Sequence, residues 1–155
     1  MSPSIFEPAL VLATPADTAA LAARLAAVLR AGDVVALHGD LGAGKSTFAR
    51  GLLKAMGWAG EVPSPTFTLV QAYDDLPVPV WHVDLYRINA PAEADALGLL
   101  ETDAALIIEW PQRLGARLPA AALHLQLSGS GDEPRRLTWD APAAWEGRWP
   151  PPLPK

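Results

Sequence analysis

With 155 residues, half of them hydrophobic and 19% charged, the chain has the length of one domain and an ordinary globular composition. A net charge of −5 with scattered basic residues argues against a free-standing nucleic-acid binder, which would carry a basic face. The absence of cysteine excludes disulfides and thiolate metal sites and fits a cytoplasmic protein, and Arg24, Arg30 and Asp33 break the best apolar run short of a membrane span.

In chain order, the opening "MSPSIFEPAL" has no basic stretch followed by an apolar core, so it does not read as a secretory signal. "ALVLA" (9–13) reads as a strand. Thr14 and Asp17 have capping-box spacing, and Pro15 sits where a first helical turn tolerates it. Residues 16–32 then read as an amphipathic helix closed by Gly32. "DVVALH" (33–38) is a continuous apolar run suited to a buried parallel strand, and 45–57 form a second helix stopped by Gly57. Strands are expected over 67–74 and 79–88 with a turn at Asp74 to Pro77, a helix over 91–101 and a buried strand over 105–110. Residues 122–127 and 135–139 flank "SGSGDEP" as a hairpin. The segment 141–155 is rich in proline and is expected to be a weakly ordered tail on a domain spanning 1–140.

Between the second strand and the second helix, "GDLGAGKS" (39–46) satisfies G-x-x-x-x-G-K-[ST] with both flanks correct. Glycine lets successive backbone N–H groups turn toward one anion and lets phosphates approach closely. The helix start adds its partial positive charge. Lys45 would reach the β- and γ-phosphates and the Ser46 hydroxyl would ligate Mg²⁺. The alternative, a glycine turn with a coincidental lysine, does not account for the flanking strand and helix.

Such a loop needs an acid on a neighbouring strand to hold the metal or order a water. Glu109 directly follows "ALII", where ordinary solvation is poor and where ligands of parallel sheets bind. Asp84 alternates with apolar Val83 and Leu85 in "WHVDLYR", and spacing alone leaves it open between a site acid and a surface carboxylate paired with Arg87. In "VPSPTFTL" (62–69), Pro63 and Pro65 stiffen a loop that presents the Ser64 and Thr66 hydroxyls. That suits a γ-phosphate sensor as well as it suits an edge turn with local hydroxyl bonding.

Taken together, "GDLGAGKST", "SPTFTL", "HVDLYR" and "IEWPQR", in this order and in a chain of this size, resemble the TsaE family over about Leu10 to Leu127. These are ATPases of the bacterial machinery that installs threonylcarbamoyladenosine in tRNA. The resemblance implies a P-loop α/β fold, a three-layer sandwich with a mixed, largely parallel central sheet. It implies ATP and Mg²⁺ as cofactors, and hydrolysis that is slow alone and stimulated by the TsaB and TsaD proteins, with tRNA met only through that complex. It places Asp40, Leu41, Gly42, Ala43, Gly44, Lys45, Ser46 and Thr47 in the phosphate cradle, with Ser46 on the metal where the family more often has threonine. Glu109 matches the acidic metal-site residue, Asp84 the second essential acid, and Ser64 with Thr66 the switch-like loop. Trp110 falls beside the nucleotide and Thr18 near the base. The hairpin "SGSGDEPRR" matches only in length and in its arginines, so the resemblance does not choose between Arg135 and Arg136 as a phosphate neighbour. Two rival readings stand beside this one. A small-molecule or nucleoside kinase would need an arginine-bearing lid, and no arginine lies between Gly51 and Arg87. A nucleotide-gated adaptor would bind ATP and scarcely hydrolyse it.

Overall fold

A computed structural model describes residues 9–150. Seven strands form one sheet: β1 (Ala9–Leu12), β2 (Val34–His38), β3 (Val70–Tyr73), β4 (Val80–Asp84), β5 (Ala105–Glu109), β6 (Leu123–Ser128) and β7 (Arg135–Asp140). Their order is β1-β7-β6-β2-β5-β4-β3. The inner strands β6, β2, β5 and β4 pair in parallel, and β1, β7 and β3 extend the sheet antiparallel at its edges. The expected mixed sheet with a parallel centre is therefore present.

Burial explains why β2 and β5 carry unbroken apolar runs: both faces are covered. Helices α1 (Pro15–Ala26) and α2 (Lys45–Ala55) pack against Val35, Leu37, Ile107 and Leu125 on one face. Val34, Leu106 and Ile108 point to the other face, against Ala94 and Leu114 from two 3₁₀ segments, Pro91–Leu97 and Pro111–Arg117, and against Leu99 in the turn after the first. The first of these was expected as a helix over 91–101; it ends at Gly98, in the left-handed region at φ 70°. The second was not anticipated.

Three boundaries differ from the expectation. Helix α1 begins with the expected capping box, Asp17 N–H donating to Thr14 Oγ1 and Thr14 N–H to Asp17 Oδ2, both at 3.2 Å. It ends at Ala26 and does not reach Gly32, and the Val28 carbonyl accepts from Arg148 at 3.0 Å. Strand β3 starts only at Val70, because Leu69 N–H folds back onto the Pro65 carbonyl and Leu69 takes φ 67°. Strand β4 stops at Asp84, whose carboxylate accepts the Tyr86 N–H and turns the chain.

The tail requires correction as far as Pro150. Trp145 is 1% exposed and its Nε1–H donates to the Ala121 carbonyl at 2.9 Å. Trp149 packs edge-on against Trp139, and Arg148 forms a two-pronged pair with Asp33 at 2.7 and 3.1 Å while stacking on Trp145. Indole burial and a charge pair outweigh the loop-like composition of this stretch. Residues 151–155 lie outside the described residues.

Candidate nucleotide-binding site

The site lies where the parallel strands end. β2 runs into the glycine loop, and the loop opens directly into α2. Gly44 caps that helix at φ 107°, a conformation only glycine takes freely. Gly39 passes so close to β6 that a Cβ there would sit 2.6 Å from the Leu127 carbonyl oxygen. The loop is therefore glycine-rich for one conformational and one steric reason.

Lys45 is 5% exposed. Its Nζ donates to the Gly39 carbonyl at 2.6 Å and lies 3.7 Å from the centre of the Trp110 ring. Burial pushes its pKa below the ordinary lysine value, and the carboxylates of Glu109, Asp84 and Asp40 pull it back up. Trp110 itself is held at φ 58° and leans on Tyr86, so it forms a wall of the site and is not packed in the core interior.

Asp84 and Glu109 are register partners on neighbouring parallel strands, each 4% exposed. Their side chains emerge on the α2 side of the sheet. Asp84 accepts from the Thr66 hydroxyl at 3.1 Å and from the Tyr86 N–H at 2.9 Å. The Ser64 hydroxyl is 2.7 Å from that of Thr66. Arg87 stacks on Phe67 and does not pair with Asp84, so the surface-carboxylate alternative for Asp84 does not describe this fold. Glu109 accepts from His82 Nε2–H at 2.7 Å.

One cavity of about 250 Å³ brings Leu41, Gly42, Gly44, Lys45, Ser46 and Thr47 together with Ser64, Thr66, Asp84, Glu109 and Trp110. A second, of about 190 Å³, shares Gly44, Thr47 and Arg135 with the first and is walled by Thr14, Pro15 and Thr18 of the α1 start. Thr18 thus borders a cavity that also touches Gly44 and Thr47. Asp40 and Ala43 line neither cavity. Asp40 is exposed and acts on Lys45 through its charge, while the Ala43 side chain is core and only its carbonyl faces Arg135.

Arg135 is the residue that sequence reasoning left undecided. Its guanidinium donates to the carbonyls of Gly42 and Ala43, both at 3.1 Å, and to those of Gly131 and Glu133. It straps the β6–β7 hairpin to the glycine loop, whereas Arg136 is exposed on the opposite sheet face. The alternation in "RRLTW" carried the signal: Arg135 shares a face with Leu137 and Trp139, which are buried against the helical layer.

The donor set fits Mg²⁺. Hydroxyl and carboxylate oxygens from Ser46, Asp84 and Glu109 border one cavity, and Mg²⁺ usually takes one or two carboxylates with substrate phosphates. No cluster of three or more His, Cys, Asp or Glu side chains suited to a metal occurs among the described residues.

The sequence profile described as Threonylcarbamoyl adenosine biosynthesis protein TsaE matches residues 12–137. The chain belongs to the TsaE family. The TsaE of Bacillus subtilis is 38% identical over 130 residues, covering 82% of this chain and 81% of that one. The TsaE of Haemophilus influenzae is 43% identical over 91 residues, 57% and 58% of the two chains, and that of Mycobacterium tuberculosis is 38% identical over 136 residues, 79% and 80%. All three are named tRNA threonylcarbamoyladenosine biosynthesis protein TsaE. The crystal structure of Bacillus subtilis YdiB superposes with a TM-score of 0.76 at 29% identity, covering 90% of this chain and 89% of that one. Fold and family agree on a nucleotide-binding α/β protein of the TsaE type. No helix among the described residues is long and apolar enough to cross a membrane.

Proposed function

We propose that this chain is a cytoplasmic Mg²⁺-dependent ATPase that serves threonylcarbamoyladenosine modification of tRNA by acting on a TsaB–TsaD complex. The observation that carries the reading is the meeting of Lys45, Ser46, Asp84 and Glu109 around one cavity at the ends of parallel strands. In this reading the glycine-loop N–H groups and Lys45 bind the phosphates, and Lys45 exchanges the Gly39 carbonyl for phosphate oxygens. Ser46 and Glu109 hold the metal. A metal held there would supply positive charge to offset that of the bound phosphates. Asp84, fixed by Thr66 and the Tyr86 N–H, orients the attacking water. Thr18 and the α1 start receive the base, and Arg135 steadies the loop beneath the phosphates.

Ser64 and Thr66 are tied to Asp84 by hydroxyl bonds. A γ-phosphate arriving beside them competes for those bonds, which links nucleotide state to the conformation of the 62–69 loop. That supports a docking role in which ATP sets affinity for the partner complex and hydrolysis resets it. With a net charge of −5, the chain meets tRNA through its partners and not by itself.

The test is multiple-turnover tRNA modification and phosphate release with TsaB and TsaD, comparing wild type with Lys45→Ala. Wild type should hydrolyse ATP slowly alone, faster with the partners, and sustain repeated rounds. Full modification by Lys45→Ala would mean that the nucleotide site is dispensable, and the ATP-driven reset would be abandoned.

A further inference from the structure

The two acids of the site are held differently. Asp84 is fixed by Thr66 and by backbone, while Glu109 is fixed by His82, a residue to which the foregoing reading gives no task. His82 lies two positions before Asp84 on β4, so it leaves the sheet on the same face, and it stands opposite Ile107, two positions before Glu109 on β5. The His82 and Glu109 side chains are 3% and 5% exposed, and Nε2 and Oε2 are 2.7 Å apart. The other ring nitrogen, Nδ1, is buried without a partner among the described residues.

An ionised carboxylate can only accept, so this contact puts an imidazole proton on Nε2. The arrangement leaves Nδ1 unpaired in a place closed to water, which costs stability. An apolar side chain at position 82 would bury equally well without that cost. What the histidine adds is the bond to Glu109.

We propose that His82 is a positioning residue for Glu109: its Nε2–H holds Oε2 and so commits one carboxylate oxygen, leaving the other for a cation in the cavity. This rests on the reading of Glu109 as a metal ligand. A carboxylate on a flexible two-methylene stem would otherwise swing among rotamers, and Lys45, also bordering the cavity, would compete for it. Outer groups that orient a metal ligand commonly govern metal affinity by about tenfold to a hundredfold.

The experiment measures the Mg²⁺ concentration that half-saturates binding of a non-hydrolysable ATP analogue, with metal-free ADP affinity as the control for an intact site. His82→Leu keeps bulk and removes the donor; it should raise the Mg²⁺ requirement by about tenfold to a hundredfold while leaving metal-free ADP affinity unchanged. His82→Gln offers an amide N–H at similar reach and should recover most of the loss. A wild-type Mg²⁺ requirement in His82→Leu overturns the proposal. Glu109→Gln separates the two levels. If it too leaves the Mg²⁺ requirement unchanged, the metal-ligand reading of Glu109 falls and the proposal with it; if it shifts the requirement and His82→Leu does not, only the role of His82 falls. Should His82→Leu fail to fold, nitrogen NMR of the histidine-labelled wild-type protein decides: a proton on Nε2 upholds the assignment, and one on Nδ1 overturns it.

Discussion

Gly51 sits at the crossing of α2 with α1, and replacing it with alanine tests how rigidly that crossing holds the site. A Cβ built there meets Ala19 Cα at 2.9 Å, Ala19 Cβ at 3.1 Å and the Ala19 carbonyl oxygen at 3.3 Å. Carbon atoms in good contact lie about 3.5–4.0 Å apart, so the helices must separate by about 0.6–1 Å. The nearest neighbour is backbone, and no rotamer change relieves it. Overpacking of this kind costs about 1–3 kcal/mol, against about 1 kcal/mol gained from alanine's better helix propensity. The balance is a net loss of up to about 2 kcal/mol, which in a chain of this size lowers Tm by up to about 8 °C. Thr18 adjoins Ala19 and shares its cavity with Gly44 and Thr47 at the start of α2. Separating the helices widens that cavity, so ADP affinity should fall along with Tm. Circular dichroism melting and ADP titration check the two effects. A Gly51→Ala protein more stable than wild type would refute the reasoning, because propensity alone predicts that result.

Asp84→Asn and Glu109→Gln should still bind ATP and lose turnover by about 10²-fold, as expected when a positioned charge at the reacting centre is removed; phosphate release at the wild-type rate in Asp84→Asn would leave that residue only its structural bonds. Arg135→Ala should weaken nucleotide binding by about tenfold, roughly the worth of one charge-assisted bond to the loop, while Arg136→Ala should match wild type; equal effects in calorimetry would remove the strap from the account. Burial, then His124 and Lys45, hold His38 down at about 4, and burial also lowers His124. Between about 4 and the ordinary value of 6.5 the unfolded chain binds a proton at position 38 that the folded chain refuses, so stability should fall as pH falls through that window. Urea unfolding across the window should show the slope, and His38→Gln should flatten it; an unchanged slope would assign the acid sensitivity elsewhere. Trp145→Ala should cost about 3–5 kcal/mol, the usual range for a buried aromatic, and a loss under about 1 kcal/mol in urea would mean that the tail is not part of the fold.

Much of the site was legible because its parts are contiguous. The glycine loop, Lys45 and Ser46 announce themselves within eight residues, and the apolar run before Glu109 marks a buried parallel strand whose end must carry the acid. Local chemistry suffices there: backbone freedom, a helix start and the cost of burying charge without purpose. Asp84 was open on sequence grounds, since alternation tells which face a residue takes and not what lies above that face. Thr66 and Tyr86 answered that question by bonding it.

What the sequence by itself determined is the alphabet of the fold: the strand-loop-helix nucleotide motif, the parallel centre of the sheet, the capping box at Thr14 and the family. What only the tertiary structure decided is which distant residues meet. Arg135 reaches from the hairpin to the loop, His82 reaches from one strand to Glu109 on its neighbour, and Arg148 draws a proline-rich tail onto Asp33 and the Val28 carbonyl. Each depends on a contact between groups tens of residues apart in the chain. Periodicity and propensity report the next turn or the next strand position; they carry no information about a partner brought near only when the sheet closes and water leaves.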